Sequence, residues 1–124
     1  MFASPATAQA PKLKLHQMPP KVIALAMVKK NYADHERQFA CLEQLITKES
    51  GWRVNALNRS SGAFGLFQFL PSTWKNYKYP YKPKDAYTQI KAGLRYVYKR
   101  YDTPCNAWNF WKKQAGKDLH GGWY

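Results

Sequence analysis

Acidic residues are scarce: 7 Asp and Glu stand against 20 Lys and Arg in 124 residues, a formal net charge of +13. That balance says little about fold, but it predicts attraction to a polyanion such as nucleic acid, an anionic membrane surface or an acidic cell-wall polymer. Cysteine is nearly absent. Cys41 and Cys105 lie far apart with no Cys/His partner pattern, which excludes a zinc-site reading. They read either as two free thiols or as one disulfide of an exported protein, which would stabilise the fold by about 4 kcal/mol. His16, His35 and His120 are scattered and read as solvated. No run of eighteen apolar residues exists, so no transmembrane segment is expected. The longest run, "VIALAMV" from Val22 to Val28, is too short and meets Lys29 and Lys30. A Gly-x-Ser-x-Gly elbow, a Walker loop and a His-Glu-x-x-His helix are all missing, and "GAFG" is too short for a phosphate loop. There is no internal repeat and no strand pattern longer than a hairpin arm.

What is present suits one compact, mainly α domain. Hydrophobic residues make up 45% of the chain, and aromatics 16% interleaved with cations, a mixture that suits stacking on bases or on sugars. Residues 1–18 read as a flexible Pro, Ala and Lys rich tail. Within it "MFASPATAQA" reads equally as the remnant of an export signal, because "ATA" and "AQA" fit a small-x-small cleavage pattern. Residues 19–124 read as the folded domain. Pro19 and Pro20 open a helix to about Asn31. A second helix covers roughly Gln38 to Ser50, with Gly51 at its end. "NRSSGAFG" is turn chemistry for a loop or small hairpin, with a short helix expected from Leu66 and another opened by Pro71. "NYKYPYKPK" is a proline-punctuated linker. Asp85 caps the clearest helix, whose stripe is Tyr87, Ile90, Leu94, Val97, Tyr98 and Tyr101. Pro104 starts the last one.

One residue breaks this pattern. Phe39, Leu42, Leu45 and Ile46 recur at helical spacing, about 100° per residue, and Glu49 falls in the middle of the same apolar stripe. Burial and the negative helix C-terminus both disfavour its ionised form, so its pKa should rise. A carboxylic acid that keeps its proton near neutral pH can protonate a leaving group, as glycoside cleavage requires. The alternative is a structural glutamate paired with one of the many cations. No second carboxylate lies between Glu49 and Asp85, Asp85 reads as a helix cap, and Asp102 sits at a helix end. The chemistry therefore has one acid plus something else.

The stretch "KESGWRVNALNRSSGAFGLFQFLPSTW" resembles the core of the soluble lytic transglycosylase and goose-type lysozyme group. Glu49-Ser50 matches its "ES" signature. Gly65, Leu66, Phe67 and Gln68 match its Gly-Leu-Met/Phe-Gln motif, followed by Pro71. Asn106 to Trp111, "NAWNFW", resembles its Ala-Tyr-Asn motif with Trp108 in the tyrosine position. Small secreted actinobacterial transglycosylase-like or aggregation-promoting-factor-like domains are more similar still. They share a Cys before the "ESGW" helix end, an "SSGA" loop, a "TQI" helix, a "PC.AW" helix start and a final "GWY".

The resemblance implies a lysozyme-like α-helical domain with a small loop or hairpin region beside an active-site cleft. It implies a secreted enzyme cleaving the β-1,4 bond between N-acetylmuramic acid and N-acetylglucosamine in peptidoglycan, with Glu49 as general acid and then base. In the larger group the sugar's own 6-hydroxyl attacks, with help from its N-acetyl group, and leaves a 1,6-anhydro end; this accounts for the missing second acid. It further implies a Cys41–Cys105 disulfide, and Ser50, Gly65, Phe67, Gln68, Trp108 and Asn109 as substrate-binding or acid-orienting residues. Phe67, Trp74 and Trp108 serve equally as sugar platforms or as core, Ser50 as a cap, and Gly65 as a turn former. No cofactor or metal is expected. The partners expected are glycan strands and anionic wall polymers rather than a specific nucleic acid, with the chain acting as a monomer. A hydrolase of the same bond, or a non-catalytic wall-binding surface protein, are the alternatives.

Overall fold

In the computed structural model, residues 12–116 are described. They form five α-helices: α1 (Pro20–Asn31), α2 (His35–Ser50), α3 (Pro71–Asn76), α4 (Ala86–Tyr101) and α5 (Pro104–Ala115). No strand occurs among the described residues; the loop between α2 and α3 is pinned by the isolated bridges Leu57–Phe64 and Phe64–Phe69. The mainly α expectation holds, and so does that of a small hairpin-like loop.

The helix ends follow local chemistry. Pro20 occupies the first turn of α1, where its missing N–H costs nothing. Gly51 closes α2 in the left-handed conformation, φ 61°, and sends its N–H back to the carbonyls of Ile46 and Thr47. Asp85 caps α4 by accepting the Thr88 N–H at 2.8 Å. Thr103 does the same for α5 with Asn106, and Pro104 sits in the first turn.

α2 packs between α1 and α5, and α4 closes the ring against the same two helices. Their common core contains Ile23, Val28, Leu42, Leu45, Ile46, Ile90 and Val97, each fully buried, with Leu66, Phe67 and Trp74 delivered from the loop and α3. Gly93 of α4 has no side chain because Phe67 occupies the space: a Cβ there would lie 2.2 Å from the Phe67 ring. The Cys41–Cys105 disulfide ties α2 to α5, with a Cα–Cα distance of 4.9 Å.

Four expectations are corrected. The helix expected from Leu66 is a turn, because Gly65 at φ 89° and Gln68 at φ 53° leave the helical region on either side of it. α2 starts at His35, a turn earlier than expected, where the Asp34 carboxylate accepts from Arg37 and Gln38. Tyr98 is not on the buried stripe of α4 but is 63% exposed; Gln89, Gly93 and Tyr96 take up the interior instead. The expected tail is folded in its last part, where Leu15–Gln17 makes one 3-10 turn, His16 meets Tyr87 edge-on at 6.5 Å and Met18 packs on the core. The possible signal remnant in residues 1–11 and the final "GWY" lie outside the described residues.

Candidate active site

Glu49 emerges from the last turn of α2, on the face that buries Leu42, Leu45 and Ile46. Its Oε2 accepts a hydrogen bond from Trp111 Nε1 of α5 at 2.8 Å. Among the described residues no cation lies within ion-pair distance of it: the two ion pairs found are Lys21–Glu43 and Arg37–Asp34. Burial pushes its pKa up from 4.5 to about 7, and the Trp111 hydrogen bond pulls the other way. Tyr96 of α4 lies close enough to feel the Glu49 charge; burial first, and that charge among lesser causes, push its phenol up to about 12. A carboxyl group in this setting keeps its proton to near neutral pH and can deliver it, whereas a structural ion pair would have lowered its pKa.

The loop that follows Glu49 is built around another helix residue. Gln89 of α4 is completely buried. Its Oε1 accepts the Leu66 N–H at 2.8 Å, and its Nε2 donates to the carbonyls of Val54 and Pro83 at 2.9 and 2.8 Å. Gly65 stands against it: a Cβ there would come within 2.6 Å of Gln89 Oε1, and φ is 89°. Gln68 then donates through Nε2 to the carbonyls of Ala56 and Gly65, both at 3.0 Å, which closes the loop on itself. Phe69, at its end, packs on Tyr96 at 4.8 Å between ring centroids and so brings the loop to the Glu49 side of α4.

The other sequence-predicted residues take different places. Ser50 is 1% exposed and its hydroxyl donates to the Ile46 carbonyl, while its own carbonyl accepts from Arg53; it braces the helix end. Phe67 is 1% exposed, filling the notch over Gly93, and Trp74 is equally buried, so both are core residues and neither presents a face for a sugar. Trp108 is half-buried and stacks on Trp111, with centroids 5.3 Å apart and planes at 23°. Trp108 and Asn109 line a hollow of about 310 Å³ beside the disulfide, together with Arg37, Gln44 and Lys112. Glu49 does not line it. A second hollow, of about 430 Å³, lies between α1 and α4 near Met27, Leu94 and Tyr98, also away from Glu49.

Trp111 and Gln89 were missed at the level of sequence. A signal for Trp111 existed in the register. Glu49 lies eight residues after Cys41, and Trp111 six after Cys105. On two helices that run the same way from a shared disulfide, these are about 12 and about 9 Å along the axes. Gln89 had no such signal, since a glutamine on an otherwise mixed helix face reads as solvated.

Comparison with known proteins points the same way. The family model described as transglycosylase SLT domain matches residues 26–113. "Probable transglycosylase SceD 2" of Staphylococcus saprophyticus is 57% identical over 35 residues, 28% of this chain and 14% of that protein. "Probable transglycosylase SceD" of Staphylococcus epidermidis is 54% identical over 33 residues, 27% of this chain and 15% of the relative. The Staphylococcus aureus protein of the same name is 51% identical over 35 residues, 28% of this chain and 15% of its own length. The chain thus spans about one-seventh of the curated relatives it matches. No solved structure matches it.

Proposed function

The chain belongs to the transglycosylase SLT domain family, and from that membership we propose that it is a lytic transglycosylase cleaving the MurNAc-β-1,4-GlcNAc bond of peptidoglycan, with Glu49 as its single acid and base. The observation that carries this reading is the half-buried Glu49 carboxyl, raised to about 7, with one neutral donor and no cation partner among the described residues. Neutral Glu49 gives its proton to the glycosidic oxygen as the bond to the muramoyl C1 breaks. The substrate's N-acetyl group supports the positive charge that develops at C1. The carboxylate left behind then takes the proton of the muramoyl 6-hydroxyl as that oxygen bonds to C1. The proton returns to Glu49, the product closes as a 1,6-anhydro sugar, and the enzyme is ready for another cycle without water.

In this reading Ser50, Gly65 and Gln68 contribute by shaping the wall beside Glu49. Trp108, half-buried next to Trp111, is the ring available to a sugar, with exposed Asn109 on its flank. We assign residues 19–124, with the turn at residues 15–18 packed against them, to the catalytic domain and place it, as a secreted monomer, on the cell wall. Its excess of cations, of which two form ion pairs among the described residues, suits attraction to anionic wall polymers. No helix of the described residues is long and apolar enough to cross a membrane. Mass spectrometry of digested, purified peptidoglycan tests the reaction. The expected products are 1,6-anhydromuramoyl ends, lighter by one water than reducing ends. Digests with only hydrated reducing ends would make the enzyme a hydrolase, and an undigested wall would leave a binding protein.

A further inference from the structure

We propose that Trp111 is a positioning residue for proton transfer: its indole N–H holds Glu49 Oε2 as an acceptor, so that the transferable proton is carried on Oε1. The inference rests on the reading of Glu49 as the acid. An indole nitrogen is a donor only. At 2.8 Å from Nε1, Oε2 has no room for a proton of its own between the two atoms. The carbonyl-type oxygen of a neutral carboxyl is a better acceptor than its hydroxyl oxygen, so this bond favours the form in which Oε1 carries the hydrogen. Once Oε1 has given its proton away, the same N–H faces a full carboxylate, and the bond becomes charge-assisted and stronger. Trp111 is thus bonded to Glu49 in both halves of the cycle and favours the state that acts as base.

The donor is also held in place. The disulfide fixes the register of α2 against α5 about two turns before Glu49 and Trp111 meet. Trp108 stacks on the indole, and the Lys112 ammonium lies 5.6 Å from the Trp108 ring centroid. Glu49 has no other donor among the described residues, and among them this one bond orients its carboxyl plane.

The test removes the N–H and nothing else. β-(3-Benzothienyl)alanine at position 111 keeps the bicyclic shape but replaces N–H by sulfur; Trp111→Phe is the genetically encoded counterpart. Two readouts apply to the full chain. One is the carboxyl titration of Glu49 by carbon NMR, and the other is the pH profile of peptidoglycan cleavage. Without the N–H the titration midpoint is expected to rise by about one pH unit, because the ionised form has lost its donor. The falling limb of the rate profile is expected to move up equally, and the rate on the acid side to drop about tenfold. A residue that merely packs would lower the melting temperature and leave both midpoints in place. An isostere with unchanged titration and profile, measured beside an inactive Glu49→Gln control, overturns the role of Trp111 and leaves Glu49 as the acid. A control that cleaves at the parent rate overturns both.

Discussion

Gln89 and Glu49 both turn polar groups toward the interior of this domain, and they are treated in opposite ways. Gln89 is completely buried and all three of its hydrogen bonds go to backbone groups: the Leu66 N–H and the Val54 and Pro83 carbonyls. Glu49 is half-buried with one donor among the described residues, and burial moves its pKa up to about 7. A satisfied polar group specifies a conformation, here the loop between α2 and α3. An under-satisfied titratable group is poor material for stability and suits proton exchange. The difference separates scaffold from chemistry.

The largest effect should come from making Glu49 resemble Gln89. Glu49→Gln keeps the shape and still accepts from Trp111, but it has no proton to give. Peptidoglycan cleavage is expected to fall by at least about a hundredfold, since positioned acid–base catalysis contributes ~10²–10⁴. Melting of the same preparation should hold or improve, because the buried acid is not a choice made for folding. Loss of stability with retained turnover would place Glu49 with Gln89, as scaffold.

The reverse change tests the other side. Gln89→Leu keeps the volume but leaves the Leu66 N–H and two carbonyls without partners in the interior. At roughly 1–3 kcal/mol for each buried group left unmade, partly relieved by relaxation, the domain should lose about 3 kcal/mol. Urea midpoints measure the loss, while the Glu49 titration should stay where it is. A Gln89→Leu protein as stable as the parent would mean that the loop is held by its own turns, with Gln68 as the pin.

The sequence carried the α2 stripe, the acid on it, the proline and aspartate helix starts, and, through resemblance, the disulfide. These are local or motif-borne features: a period, a cap, a spacing. What it hid is what depends on contacts between distant segments. Phe67 stands in a motif associated with substrate, yet its ring meets Gly93 on a helix 26 residues further on and belongs to the core. Trp108 was matched to the motif tyrosine, yet the donor at the acid is Trp111, one turn later, because helix register and not motif position sets which ring reaches Glu49. Gln89 drew no reading, since hydropathy cannot tell a glutamine facing water from one facing three backbone groups.

The smallest effect is also the most direct reading of how Glu49 differs from a satisfied residue. Its pKa is raised from 4.5 in the unfolded chain to about 7 in the folded one. Below pH 4.5 both states hold the proton, and the contribution of Glu49 to stability is complete. Between 4.5 and 7 the unfolded chain releases a proton that the native state keeps, so stability falls as pH rises. Above 7 both are ionised and the contribution is gone. Asp34 and Asp85 are lowered from 3.8 by hydrogen bonds that oppose any burial, and they act in a separate window at lower pH with the opposite sign. Subtracting the curve of Glu49→Gln, which does not titrate, isolates the Glu49 share. The parent should lose of the order of 1 kcal/mol relative to the mutant across that window, less than the full shift implies because solvent reaches part of the carboxyl. A difference curve that is flat from pH 4.5 to 7 would mean that the folded protein does not hold the Glu49 proton. The acid would then have to acquire its proton from the bound substrate's surroundings rather than from its place at the end of α2.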